Sequence, residues 1–138
     1  VKFLIAALAA GAVLGAAFVA GPAPSAAARP PISFTAAQAS TGQAAYYANC
    51  AKCHGANLEG ISGPALKGKD GNLQEQTVSG VYTYTITQMP VGNAGGLPST
   101  DYVNIMAFLL QSNGRRPGQA KLSVATLKAD SSKVGGPK

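Results

Sequence analysis

Apolar positions fall into three kinds of pattern along the chain, and each predicts a different element. The first is a block: Phe3 to Ala20 holds only Phe, Leu, Ile, Val, Ala and Gly, behind a minimal basic start at Val1-Lys2. Pro22 and Pro24 break the run, and small residues at Ala26 and Ala28 offer an A-x-A cleavage site, the pattern of a secretory signal peptide. An uncleaved anchor is the rival, because the run approaches the ~18–20 residues of a spanning helix. The proline break favours cleavage, so residues 1–28 are expected as signal, 29–33 as a linker, and 110 residues as the mature chain.

The second pattern is helical. Thr35-Ala36-Ala37-Gln38 is a capping box, in which hydroxyl and carboxamide satisfy each other's backbone N–H groups. The helix it opens is predicted to run to about Asn49 and to present Ala39, Gly42, Gln43 and Tyr46 on one stripe. Gly42 costs such a helix ~1 kcal/mol against alanine, so its expected use is close approach by another helix. The clearest helix is the last, where Tyr102, Ile105, Met106, Leu109 and Leu110 form an i, i+3, i+4, i+7, i+8 face. Ser99 is its expected N-cap, Asp101 complements its dipole, and Gly114 ends it.

The third pattern is no pattern. Gly55 to Asn72 keeps no apolar period and contains Gly63-Pro64, which predicts a loop wrapped around something. Thr77 to Gln88 is ambiguous, because Tyr82, Tyr84 and Ile86 alternate with threonines like a strand while Val78, Val81, Tyr82 and Ile86 fit a helical stripe. Beyond Gln119 a weakly amphipathic piece, Leu122 to Leu127, fades into a Ser-, Lys- and Gly-rich stretch that reads as a partly disordered tail over 119–138.

At 138 residues the chain is one domain. Without residues 1–28, ten Lys and Arg face Glu59, Asp70, Glu75, Asp101 and Asp130, a formal balance of +5. Such basicity suits nucleic acid, anionic lipid or an acidic protein. No basic run with interleaved aromatics is present, so nucleic acid is set aside and an acidic protein partner is preferred. A domain this small needs a staple, and its two cysteines lie too close together for a disulfide of entropic value.

Those cysteines carry the chemistry. Cys50-Ala51-Lys52-Cys53-His54 is a C-x-x-C-H string, the attachment pattern of c-type haem: two thiols reach the two vinyl groups of one porphyrin, and the adjacent histidine becomes the proximal iron ligand. A structural zinc site needs four ligands and only three candidates exist, all contiguous. A thioredoxin-like C-x-x-C needs a βαβ setting, whereas this one lies between a helix and a Gly-rich loop. A strained disulfide is the remaining alternative. For the sixth ligand the mature chain offers Met89 and Met106. Met106 lies on the apolar face of the last helix and is expected as core filler. Met89 ends an element directly before Pro90 and a glycine-rich loop, where its side chain can be aimed inward.

These residues, over about Phe34 to Gly118, resemble class I mono-haem cytochromes c. Gly42 and Tyr46 resemble the small residue and aromatic by which that family's first helix packs across its last, and Ile105, Ala107, Phe108 and Leu109 resemble the facing side. Gly63-Pro64-Ala65-Leu66 resembles the segment whose proline carbonyl accepts the proximal histidine's N–H, and Met89-Pro90 resembles the distal ligand. The string from Cys53 to Gly60, with Gln111-Ser112-Asn113-Gly114, is most similar to the small bacterial cytochromes that accompany quinoprotein (PQQ-dependent) alcohol dehydrogenases. The chain departs from the pattern in lacking tryptophan, which leaves Tyr82, Tyr84 or polar groups to pack against the haem propionates.

The resemblance implies an all-α cytochrome c fold over 34–118, with three or more helices around one covalent haem and a helix over 77–88. It implies cofactor contacts at Cys50, Cys53, His54, Pro64 and Met89, and iron ligation by His54 and Met89. The expected role is a periplasmic, monomeric, non-enzymatic carrier of single electrons between a dehydrogenase, such as a quinoprotein alcohol dehydrogenase, and a respiratory acceptor such as a terminal oxidase. The alternatives are a fixed haem c subunit of a membrane-associated dehydrogenase or oxidase, and a five-coordinate gas-binding haem protein. No paired carboxylates, second histidine or phosphate loop supports catalysis by the polypeptide.

Overall fold

The computed structural model describes residues 32–136. The signal segment expected at 1–28 and most of the linker lie outside the described residues. The described residues contain five helices and no strand: α1 (Ala36–Asn49), α2 (Ala51–His54), α3 (Val78–Gln88), α4 (Ser99–Ser112) and α5 (Val124–Ala129), with a 3₁₀ turn at Asn72–Glu75. The expected all-α architecture is the one observed.

α1 begins as its capping box dictates, with Gln38 N donating to Thr35 Oγ1 (3.2 Å) and Thr35 N to Gln38 Oε1 (3.3 Å). It buries Ala39, Gly42 and Tyr46. Gln43, expected on the same stripe, is turned outward one position past Gly42, and its amide donates to Tyr47 Oη (3.1 Å). α4 buries every residue of its expected face and also Val103, Ala107 and Phe108, so it is the core helix. Its start differs from expectation. Pro98, not Ser99, holds the cap position, because its extended backbone (φ −53°, ψ 142°) aims its carbonyl at Asp101 N (2.9 Å) and Tyr102 N (3.3 Å).

Gly42 sits where α1 crosses α4. A Cβ there would lie 1.8 Å from the Asn104 carbonyl oxygen and 2.9 Å from Ile105 N, so the two backbones meet only because residue 42 has no side chain. The Tyr46 and Phe108 rings pack beside the crossing with centroids 5.3 Å apart. Met106, completely buried, is core filler as expected.

The ambiguous stretch is the helix α3. Thr77 caps it by accepting from Gly80 N (3.1 Å), and Val78, Val81 and Tyr82 face the core. Its threonines fit a helix by bonding back one turn, Thr85 Oγ1 to Val81 O (2.7 Å) and Thr87 Oγ1 to Thr83 O (2.8 Å). Two N–H groups of its first turn go elsewhere: Val78 N donates to Ser132 O (2.9 Å) and Ser79 N to Asp130 O (3.0 Å).

Those acceptors correct the reading of residues 119–136 as a tail. The segment crosses the α1 start, where Gln38 Nε2 donates to Leu122 O (3.0 Å) and Leu122 N to Gln38 Oε1 (2.8 Å). It then forms α5, buries Leu122, Leu127 and Val134, and bridges Thr77 to Lys133. Arg115 fastens it, donating from Nε to Val134 O (3.2 Å) and from Nη2 to Ser132 Oγ (2.8 Å) and Lys133 O. Low local hydrophobicity hid this order, which comes from distant hydrogen-bond partners.

Candidate functional site

The C-x-x-C-H string folds as a corner. Cys50 closes α1, its N–H donating to Tyr46 O (2.8 Å), and its carbonyl opens α2 by accepting from Cys53 N (3.1 Å) and His54 N (2.9 Å). The two thiols therefore stand three residues apart on one short turn. Neither is in a disulfide: Cys50 is half-buried and Cys53 exposed. Burial, then the neighbouring Cys53, pushes the Cys50 thiol up to about 11.

The loop after Gly55 folds back on this corner. Gly60 N donates to His54 O (2.8 Å), while Ile61 N (3.0 Å) and Gly63 N (2.9 Å) both donate to Cys53 O. The Tyr46 hydroxyl, reaching from α1, donates to Gly55 O (2.7 Å). The loop brings Gly63 flat against the His54 imidazole. A Cβ at residue 63 would lie 2.9 Å from Cε1 and 3.0 Å from Nδ1, so no other residue leaves room for the ring. Pro64 follows, its carbonyl oxygen 2.8 Å from His54 Nδ1.

That contact fixes the chemistry of the ring. A carbonyl can only accept, so Nδ1 carries a proton in this contact, and in the neutral ring Nε2 is then the atom that presents a lone pair. His54 is thus an oriented, nearly buried imidazole whose Nε2 is its candidate donor atom. Among the described residues no three His, Cys, Asp or Glu side chains gather around a bare metal ion. The donor set here is instead two adjacent thiols and one imidazole nitrogen, which fits a metal brought inside a covalently attached ring.

Met89 is carried separately. It caps the C-terminus of α3 in extended backbone (φ −123°, ψ 149°), half-buried, with its N–H on Thr85 O (3.1 Å) and its carbonyl accepting from the Tyr102 hydroxyl (2.8 Å). Met106 lies in the core, away from any such cap. Of the tyrosines expected near the propionates, Tyr82 is buried and its phenol raised by that burial, whereas Tyr84 is 59 % exposed.

Sequence reasoning missed the hydroxyls of Tyr46 and Tyr102, both read as packing aromatics. The available signal was their chemistry, since a buried tyrosine in place of phenylalanine needs a partner for its O–H. Around the corner, Lys52, Lys67 and Lys69 are exposed. Lys69 Nζ lies 3.3 Å from Asp70 Oδ1 with both side chains solvated, a pair of little energetic weight.

The model of the family described as cytochrome c oxidase, cbb3-type, subunit III, matches residues 37–109, just over half of the chain. Cytochrome c-551 of Bacillus subtilis (strain 168) is 38 % identical over 60 residues, which cover 44 % of this chain and 54 % of that protein. Cytochrome c-550 of the same organism is 70 % identical over 23 residues, 17 % of this chain and 19 % of the relative. The chain thus spans about half the length of the first relative and a fifth of the second. The crystal structure of the sulfane dehydrogenase SoxCD from Paracoccus pantotrophus is 41 % identical, with a TM-score of 0.49, over 55 % of this chain and 43 % of that one.

Proposed function

The chain belongs to the cbb3-type cytochrome c oxidase subunit III family of covalent haem c domains, and from that premise we propose that it is an exported single-electron carrier running between a dehydrogenase and a respiratory acceptor. The observation that supports this best is the corner itself: two unpaired thiols on one turn beside an imidazole whose Nδ1 faces Pro64 O at 2.8 Å. Cys50 and Cys53 attach the haem, which when bound supplies the one-electron couple. His54 Nε2 is the proximal ligand, Pro64 holds the proton on Nδ1, Gly63 holds the ring's orientation, and Met89 closes the distal side. A thioether on that side raises the potential and leaves no open position for gas or substrate.

The donor we assign is a quinoprotein alcohol dehydrogenase, on the likeness carried by Cys53 to Gly60, and the acceptor a terminal oxidase. Exposed Lys52, Lys67 and Lys69 suit transient docking on acidic surfaces of such partners. The family's name favours a second reading, a fixed haem c subunit of an oxidase. Acid–acetone treatment of the purified protein tests the attachment: haem should stay on the polypeptide, and haem that leaves with the solvent overturns it. Purification in mild detergent separates the two roles, since a carrier elutes alone and a subunit co-elutes with a larger redox complex.

A further inference from the structure

We propose that Tyr102 is the positioning residue that holds Met89 at the haem iron, an inference that rests on Met89 being the distal ligand. Ten residues, Met89 to Pro98, connect α3 to α4, and they contain Gly92, Gly95 and Gly96. Such a segment has much conformational freedom to lose, and a thioether is a weak ligand that binds only as often as its backbone presents it. The connection has internal turns at Asn93 N to Pro90 O (2.9 Å) and Gly96 N to Asn93 O (3.0 Å), but these do not attach it to the rest of the molecule.

Beyond the Met89 N–H on Thr85 O, one hydroxyl ties it to the core helix. Tyr102 Oη donates to the carbonyl of Met89 (2.8 Å) and receives the N–H of Leu97 at 3.5 Å, so residues from the two ends of the connection meet on a single atom. That atom belongs to a ring that is 3 % exposed and sits in the first turn of the core helix α4. Its bond to Met89 falls on the backbone of the ligand residue itself. Phenylalanine would fill the same space in the core, so packing alone does not call for the oxygen.

Removing the hydroxyl releases the Met89 carbonyl and the Leu97 N–H, and raises the fraction of molecules in which Met89 is off the iron. An exogenous ligand that must displace Met89 then binds more tightly by the same factor. For one hydrogen bond we expect about fivefold, or about 1 kcal/mol at 1.4 kcal/mol per tenfold.

The test uses the haem-loaded protein in four forms: wild type, Tyr102→Phe, Met89→Ala and the double variant. In the ferric state, Tyr102→Phe should keep its far-ultraviolet spectrum, weaken the near-infrared thioether-to-iron band, and bind imidazole about fivefold more tightly. In the Met89→Ala background the same change should leave imidazole affinity unaltered, because the coupling passes through the ligand. If Tyr102→Phe binds imidazole as wild type does, or if its effect persists undiminished without Met89, the positioning role is wrong while the ligand stands. If wild type lacks the band and Met89→Ala changes nothing, the ligand assignment is wrong and the positioning role falls with it. Met106→Leu, on the same helix, should move neither readout; a fivefold change there would assign the effect to general loosening of α4 and overturn the proposal.

Discussion

Gly42→Ala replaces one hydrogen with a methyl group at a point where two backbones touch. The new Cβ would stand 1.8 Å from Asn104 O and 2.3 Å from its carbonyl carbon, whereas real Cβ contacts stop near 3.0 Å. Neither partner is a side chain that can swing away, so α1 and α4 must separate by about 1.2 Å. Opening a packed contact by ~0.5–1 Å forfeits a quarter to a half of its dispersion energy. Taken at the half-loss end for three large apolar side chains at the crossing, Tyr46, Ile105 and Phe108, worth ~2–3 kcal/mol each when buried, the loss is ~3–4 kcal/mol. Alanine returns ~1 kcal/mol as the better helix former, which leaves a net cost of about 2–3 kcal/mol. Guanidinium unfolding followed by circular dichroism and by haem absorbance should show the midpoint falling by about 1 M with unchanged slope, for a slope of ~3 kcal/mol/M. Gly68→Ala, with open space around its Cβ but φ +72°, should cost only ~1 kcal/mol. A Gly42→Ala midpoint equal to wild type or higher would refute the close-contact argument.

Three further outcomes are expected. Arg115→Ala removes the bonds to Val134 O, Ser132 Oγ and Lys133 O, and should cost ~2 kcal/mol and open residues 119–136 to limited proteolysis before α4; uniform protection in the variant would contradict the fastening role. The Tyr46 phenol is held well above its ordinary value of 10 by burial first, then by nearby Cys50 and Glu59; because its folded pKa is raised, the stability it contributes is complete below pH 10 and lost as pH climbs toward the folded value. Tyr46→Phe should therefore cost ~1 kcal/mol at pH 7 and flatten the alkaline limb of a stability–pH curve, and an unflattened limb would exclude it as the cause. Charge reversal at Lys67 and Lys69 should slow electron transfer from the native donor at ~0.01 M salt and lose its effect near ~0.15 M, with the haem spectrum unchanged; a rate indifferent to salt removes these lysines from the docking face.

What the chain announced in advance was local. The capping box at Thr35, the α4 face and the spacing of Cys50, Cys53 and His54 depend on neighbours within four residues, so their patterns survive in one dimension. Gly42 was legible as a glycine out of place in a helix, whereas Gly63 was legible only as a loop signal beside Pro64, and each proved to touch something that any side chain would strike. α3 was ambiguous because threonine alternates as a strand former yet tolerates a helix when its hydroxyl bonds the preceding turn. Residues 119–136 were misread because nothing in their own composition holds them. Gln38, Thr77 and Arg115, far away in sequence, do. The same holds for the link from Tyr102 to Met89, which no periodicity encodes.

The borrowed cap on α3 carries a consequence for the order of events during synthesis. Val78 N and Ser79 N find their acceptors only on Ser132 and Asp130, so the first turn of α3 stays incomplete until those two residues have emerged. The hydrogen bonds of the Cys50–His54 corner reach no further along the chain than Pro64 and can form tens of residues earlier. Threaded from its N-terminus, the polypeptide therefore offers its thiols while the helix that ends in Met89 is still unfinished. On that order the thiols stand open first, and Asp130 and Ser132 shut the door on the far side afterwards.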